Sequence, residues 1–205
     1  MILDITPAIT PALAVWPGDT PASREVLMDL ARGDVVTLST LHATVHLGAH
    51  ADAPSHYGPQ AETIEAMPLE RYVGRCRVLR VTGVRGARVG PGAIPKDLRC
   101  ERLLVATGTY PDPNRWNDDF AALEPDTVDL LHERGVKLVG IDTPSVDLKS
   151  DAHLLAHKRF LAHGMSILEG LVLDGVSDGE YELIALPLKL AGFDASPVRA
   201  ILRSV

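Results

Sequence analysis

Cysteine is nearly absent from this 205-residue chain: Cys76 and Cys100 stand alone, far apart and without a Cys-x-x-Cys pair. A disulfide-stapled fold is thereby excluded, and a reducing compartment suits the chain better. Cys76 lies between Arg75 and Arg77, neighbours that lower a thiol pKa, yet no base or partner thiol accompanies it and it reads as inert. Basic runs are also missing. With 20 Lys and Arg against 27 Asp and Glu, the net charge is -7, and nothing is available to neutralise a phosphate backbone, so nucleic acid is not an expected partner. No stretch reaches the roughly 18 uninterrupted apolar residues of a membrane span. The opening Met1-Ile2-Leu3-Asp4-Ile5-Thr6-Pro7 has no basic region leading into an apolar run, so neither insertion nor export is expected and the cytoplasm is the expected location. No linker-like stretch divides the chain, and 46% hydrophobic side chains can bury one substantial core, which gives one domain over residues 1–205.

What the chain does contain is a sequence of short strands interleaved with a few helices. Strands are expected at Ile2 to Ile5, Cys76 to Val81, Leu103 to Ala106, Val136 to Ile141, Tyr181 to Leu186 and Ala200 to Leu202. The run Arg24 to Thr44, broken at Gly33-Asp34, reads as two antiparallel strands and a turn. One helix begins at Pro125, carries Asp126 and Asp129 in its first turns, and stops at Gly135. A second is expected from Ala152 to Ala162, with Ser150 or Asp151 as N-cap and Gly164 as the left-handed residue past its end. On such a helix His153 and His157 would share a face. The short strand-like piece Met165 to Glu169 follows it and carries one acid.

The densest chemistry lies in the eleven residues His46-Leu47-Gly48-Ala49-His50-Ala51-Asp52-Ala53-Pro54-Ser55-His56, which hold three imidazoles and a carboxylate. These are ligand types that zinc and similar divalent ions accept, and a thiolate-free set usually keeps a coordination position open for water, the mark of a catalytic centre. Gly48 and Pro54 disfavour a helix through the segment. In an extended strand His50 and Asp52 point to one face, Gly48 lets the backbone bend so that His46 joins them, and His56, beyond Pro54, is carried away from direct coordination. That placement suits a proton-transfer residue. From spacing alone, His157 reads equally as a helix-surface residue, Glu169 as a solvated strand-end acid, and Trp16 as a core or interface aromatic. His42, His132, His153 and His163 take the structural reading. Asp142, Thr143, Ser145 and Asp147 are placed either behind the site or in a packing loop shaped by Pro144.

The eleven-residue segment resembles the signature of the metal-dependent cyclase family, and the whole chain is similar to its bacterial kynurenine formamidase branch. Ala49 stands where broader members carry Thr. Three further blocks share the likeness: Trp16 to Pro21, Gly140 to Asp147, and His157 through Gly164 to Gly170. The resemblance implies a single-domain α/β fold of the swivelling β/β/α (cyclase-like) type with a mixed sheet, in a homodimer or larger assembly. It implies two zinc ions per subunit, one held by His46, His50 and Asp52 and the other bound by His157, with Asp52 and Glu169 helping to hold or bridge the pair. His56 would be the catalytic acid/base, imidazole being the side chain that titrates near neutral pH, and Trp16 would recognise the substrate's aromatic ring. The implied reaction is hydrolysis of N-formyl-L-kynurenine to L-kynurenine and formate in tryptophan breakdown. Isatin hydrolysis or another amide or lactam hydrolysis on the same metal core is the enzymatic alternative, and a metal-binding scaffold without turnover is the other. A serine hydrolase of the α/β type is the natural rival outside the family; it needs a Gly-x-Ser-x-Gly elbow, and the chain is expected to have none.

Overall fold

The computed structural model describes all of residues 1–205. In chain order its elements are β1 (Ile2–Asp4), β2 (Ser23–Met28), β3 (Leu38–His42), β4 (His50–Asp52), β5 (Val73–Arg80), β6 (Arg88–Val89), β7 (Arg102–Ala106), β8 (Ala122–Leu123), α1 (Pro125–Glu133), β9 (Leu138–Ile141), α2 (Leu155–His163), β10 (Ser166–Glu169), β11 (Gly179–Ile184), β12 (Ala195–Pro197) and β13 (Ile201–Ser204). Nine of the strands form one mixed sheet in the order β1-β13-β11-β5-β7-β9-β10-β4-β12. The neighbours β5, β7, β9 and β10 run parallel, and the flanking strands are antiparallel. This is the mixed α/β architecture expected. No helix is long and apolar enough to cross a membrane.

Each face of the sheet carries its own core. Leu103, Val105, Val139, Ile141 and Ile167 point to the face covered by α1 and α2, where Val128, Leu131, Ala156 and Phe160 meet them. Ala51, Leu104, Leu168 and Leu183 point the other way, and connecting segments through Ile5, Ile64, Met67 and Leu173 cover that face. The parallel strands are apolar on both faces because both faces are covered. β9 shows the packing limit: a Cβ on Gly140 would lie 2.5 Å from Leu104 and 2.7 Å from Leu171.

Three short strands, β6, β8 and β12, escape the sequence reading because two or three residues cannot show an alternating pattern. The second helix needs correction. It starts at Leu155 rather than Ala152, after Leu154 at φ 50°. Asp151 still accepts the Leu155 N–H at 3.2 Å, but His153 lies outside the helix, exposed, and shares no helical face with His157. The far end is as expected, with Gly164 left-handed at φ 59°.

Candidate metal centre

β4 is sandwiched between β10 and β12, and this register builds the site. Glu169 of β10 stands directly opposite His50, Ile167 opposite Asp52, and Ala195 of β12 flanks Asp52 on the other side. Alternation along β4 sends Ala51 into one core and directs His50 and Asp52 towards α2. The helix contributes His157 from its buried side. His46 enters from the loop before β4, turned inward by Gly48 at φ 56°. His50, Asp52, His157 and Glu169 are all buried, while His46 is half-buried and His56 remains exposed on the turn that begins at Pro54.

Asp52 is the hub. Its Oδ1 lies 3.1 Å from His46 Nδ1 and 3.4 Å from His50 Nε2, and its Oδ2 lies 3.4 Å from His157 Nε2. Glu169 repeats the division, with Oε2 3.5 Å from His50 Nε2 and Oε1 3.5 Å from His157 Nε2. Each carboxylate thus turns one oxygen to His50 and the other to His157. Yet His50 Nε2, His157 Nε2 and both Asp52 oxygens are buried without a protein hydrogen-bond partner. Buried polar atoms rarely remain unpaired, and a cation shared among nitrogen and oxygen donors satisfies them all. The donor set fits a divalent metal on this ground.

The other ring nitrogens are already committed. His50 Nδ1 is 2.9 Å from the Gly48 carbonyl oxygen, which can only accept, so Nδ1 carries a proton and Nε2 faces the carboxylates. His157 Nδ1 donates to Asp147 Oδ2 at 2.8 Å. Asp147 also receives the Ala156 and His157 backbone N–H groups and is paired with Arg88 at 2.9 Å, so one buried carboxylate caps α2 and orients its histidine. A backbone contact holds the other side: a Cβ on Gly170, at φ 65°, would sit 2.1 Å from the Gly48 oxygen that fixes His50.

The electrostatics point the same way. Burial opposes a charged imidazole, but the carboxylates beside His50 and His157 outweigh it and raise each to about 10. Burial likewise raises Asp52, and the surrounding imidazoles reverse this and hold it well below its ordinary value. Such a site stabilises positive charge placed among its donors.

The cluster opens into a cavity of about 690 Å³ whose walls include Trp16, Tyr110, Trp116 and His56. Trp16 packs edge-on against Trp116 at 5.2 Å and Phe120 at 6.3 Å, so the expected aromatic is one of a group. Trp116 and Tyr110 carried no pattern that sequence reading could use. His56 stays nearer the cluster than its position beyond Pro54 suggests, its ring 4.2 Å from that of His46. Asp194 was also missed. This acid, just before β12, has Oδ2 3.0 Å from His46 Nε2 and 3.3 Å from His56 Nδ1.

The remaining candidates fall outside the cluster. His132 stacks on His163 at 4.1 Å, and His42 pairs with Glu25 at the surface. Asp142 binds Thr107 and the Gly108 N–H. Cys76 is buried, and burial pushes its thiol up to about 12, the opposite of what flanking arginines alone would do. The expectation that the chain has no Gly-x-Ser-x-Gly needs correction, since Gly175-Val176-Ser177-Asp178-Gly179 spells it, but the string is a turn leading into β11 and not a strand-to-helix elbow, so it makes no serine nucleophile.

Known proteins share this architecture. A potential metal-dependent hydrolase with cyclase activity superposes with a TM-score of 0.86 at 28% identity, covering 98% of this chain and 96% of that one. A predicted metal-dependent hydrolase from Bacillus stearothermophilus gives 0.83 at 29% identity, with 98% and 97% covered. Isatin hydrolase A from Labrenzia aggregata, at 23% identity, 0.78, and 98% and 93% coverage, shares the fold. The Cyclase family model matches residues 3–148, a span that includes His46, His50, Asp52 and His56. The chain belongs to the Cyclase family.

Proposed function

We propose that this protein is a zinc-dependent arylformamidase that hydrolyses N-formyl-L-kynurenine to L-kynurenine and formate. The observation that carries the metal reading is the buried convergence of His50, Asp52, His157 and Glu169, with four donor atoms among them lacking a protein hydrogen-bond partner. His46, His50 and Asp52 would hold one ion and His157 the second, with Asp52 and Glu169 spanning the two. The division of each carboxylate between His50 and His157 supports that assignment. Divalent ions held there supply Lewis acidity and make water a usable nucleophile near neutral pH.

The chain's own residues do the rest. The aromatic wall at Trp16 and Trp116 gives an aryl ring an apolar, edge-and-face surface beside the cluster. Water adds to the formyl carbon and gives up a proton that reprotonates His56, the C–N bond breaks, the departing aniline nitrogen leaves with the proton that His56 donates, and the second proton is released to solvent with formate. His56 suits that step because it lines the cavity, is solvent-accessible for reprotonation, and is placed beside the buried donors rather than among them.

Isatin, a lactam with an aryl ring, is the second reading, since isatin hydrolase A has the same fold. Purified protein of measured zinc content, assayed in parallel for kynurenine release from the formamide and for ring opening of isatin, separates them. The expected outcome is formamide turnover abolished by a chelator and restored by zinc. Turnover of isatin alone overturns the substrate, and no turnover by zinc-loaded protein leaves a metal-binding scaffold.

A further inference from the structure

We propose that Asp194 is the positioning residue of this site, its Oδ2 accepting from both His46 and His56 and so fixing the tautomer of each ring. The proposal rests on the reading of His56 as proton donor, and extends it to a residue 138 positions further along the chain.

An ionised carboxylate only accepts, and one of its oxygens can take two N–H donors. With Oδ2 3.0 Å from His46 Nε2 and 3.3 Å from His56 Nδ1, those two nitrogens must carry protons. The consequences lie on the opposite side of each ring. His46 is left with Nδ1 turned to Asp52 Oδ1, 3.1 Å away, as a ligand would be. His56 is left with Nε2 as the nitrogen free to exchange a proton with a bound molecule. A histidine without this acceptor would distribute its proton between both nitrogens, and only part of the population would present the right one.

Asp194 has the rigidity such a role requires, although its side chain is 46% exposed. Its carbonyl accepts the Ala53 N–H at 2.8 Å, and the carbonyl of Phe193 accepts the Ile64 N–H at 2.9 Å, so the backbone is pinned on both sides. β12 begins at the next residue, and Ala195 lies opposite Asp52 in the ladder. The sheet register that places the metal-type donors thus also places the carboxylate beneath the two outer histidines. Its ion-pair partners are His46 and His56, with no lysine or arginine in reach to compete for the charge.

The test uses Asp194→Ala and, to preserve shape, Asp194→Asn, both checked for an unchanged fold by circular dichroism. Ring-nitrogen NMR of chelator-treated, histidine-labelled protein reads the tautomers directly. His56 is expected to be protonated on Nδ1 in the wild type and to shift towards Nε2 protonation in the variants. At saturating zinc, kcat on the formamide should fall about 10- to 100-fold with KM little changed. Zinc affinity should fall as well, through His46. In a His56→Ala background, replacing Asp194 should cost no further kcat. An unchanged His56 tautomer, or a full additional loss in that background, overturns the proposal. The NMR arm holds even if the formamide proves not to be the substrate, so failure of the positioning and failure of the activity are separable.

Discussion

At the scale of the residue, the site divides into buried donors and an exposed histidine, His56, to which the proposed mechanism gives metal binding and proton transfer respectively, and substitutions should separate them. His50→Ala removes a buried donor whose Nε2 faces both carboxylates, and is expected to lose zinc and turnover together by metal analysis and kynurenine release. His56→Ala leaves the buried donors in place; zinc content should stay at the wild-type level while kcat falls about 10²- to 10⁴-fold, the usual worth of a positioned acid or base. Full activity in that variant removes His56 from the mechanism. Asp147→Asn tests the inner support: it weakens the acceptor of His157 Nδ1 and should lower zinc affinity about 10- to 100-fold in a competition titration. The histidine-rich segment was legible because its donors lie within one short stretch, where strand alternation and a single glycine decide the geometry. His157 and Glu169 were legible only through the family likeness. Asp194 was not legible at all, since a lone acid in Gly192-Phe193-Asp194-Ala195 has no spacing to anything it touches.

At the scale of the element, the centre depends on how closely β4, β10 and the loop before β4 approach one another. Gly170 is the closest point of that approach, and Gly170→Ala puts a Cβ both into the left-handed region and 2.1 Å from the Gly48 oxygen. A loss of a few kcal/mol in urea unfolding is expected, with weaker zinc binding because that oxygen anchors His50. The α1–α2 contact gives a pH-dependent counterpart. Asp129 accepts from Arg159 Nε at 2.6 Å and lies 2.7 Å from His163 Nε2. Arg159 foremost, with His163, outweighs a small desolvation effect and lowers the Asp129 carboxyl below 3.8. A lowered folded pKa contributes stability above the unfolded value and loses it as pH falls through the folded one. Asp129→Asn should therefore unfold at lower urea than wild type at pH 7, by no more than about 1 kcal/mol for a solvent-accessible pair. The difference should vanish at the acid end, below 3.8; a gap that persists there would assign the effect to packing. The main strands and α1 were readable from periodicity and caps. The start of α2 was not, because Asp147, eight residues before Leu155, takes the N–H groups that a local N-cap was expected to satisfy.

At the scale of the whole molecule, the segment Ser23 to His42 stands apart from both cores. Not one of its 20 residues is buried, although Val26, Leu27, Leu30, Val35, Val36, Leu38 and Leu41 are all exposed apolar side chains. Its two strands pair with each other and with no third strand. A lone two-stranded hairpin is marginal in water, and an exposed apolar patch of this extent marks a surface that something covers. A second copy of the chain is the proposed occupant, consistent with the homodimer that the family likeness implies. The hairpin alone offers 20 residues, at the lower end of the roughly 20–30 a side that a stable interface uses. Sedimentation of the wild type should give twice the monomer mass. The double variant Leu27→Glu and Leu41→Glu, which places two carboxylates on residues with no buried role in the subunit, should sediment as a monomer with unchanged circular dichroism. If the variant stays dimeric, the hairpin is not the contact. If zinc content and kcat survive dissociation, the site is complete within one subunit; a selective rise in KM would instead show that the partner helps to close the aromatic side of the cavity.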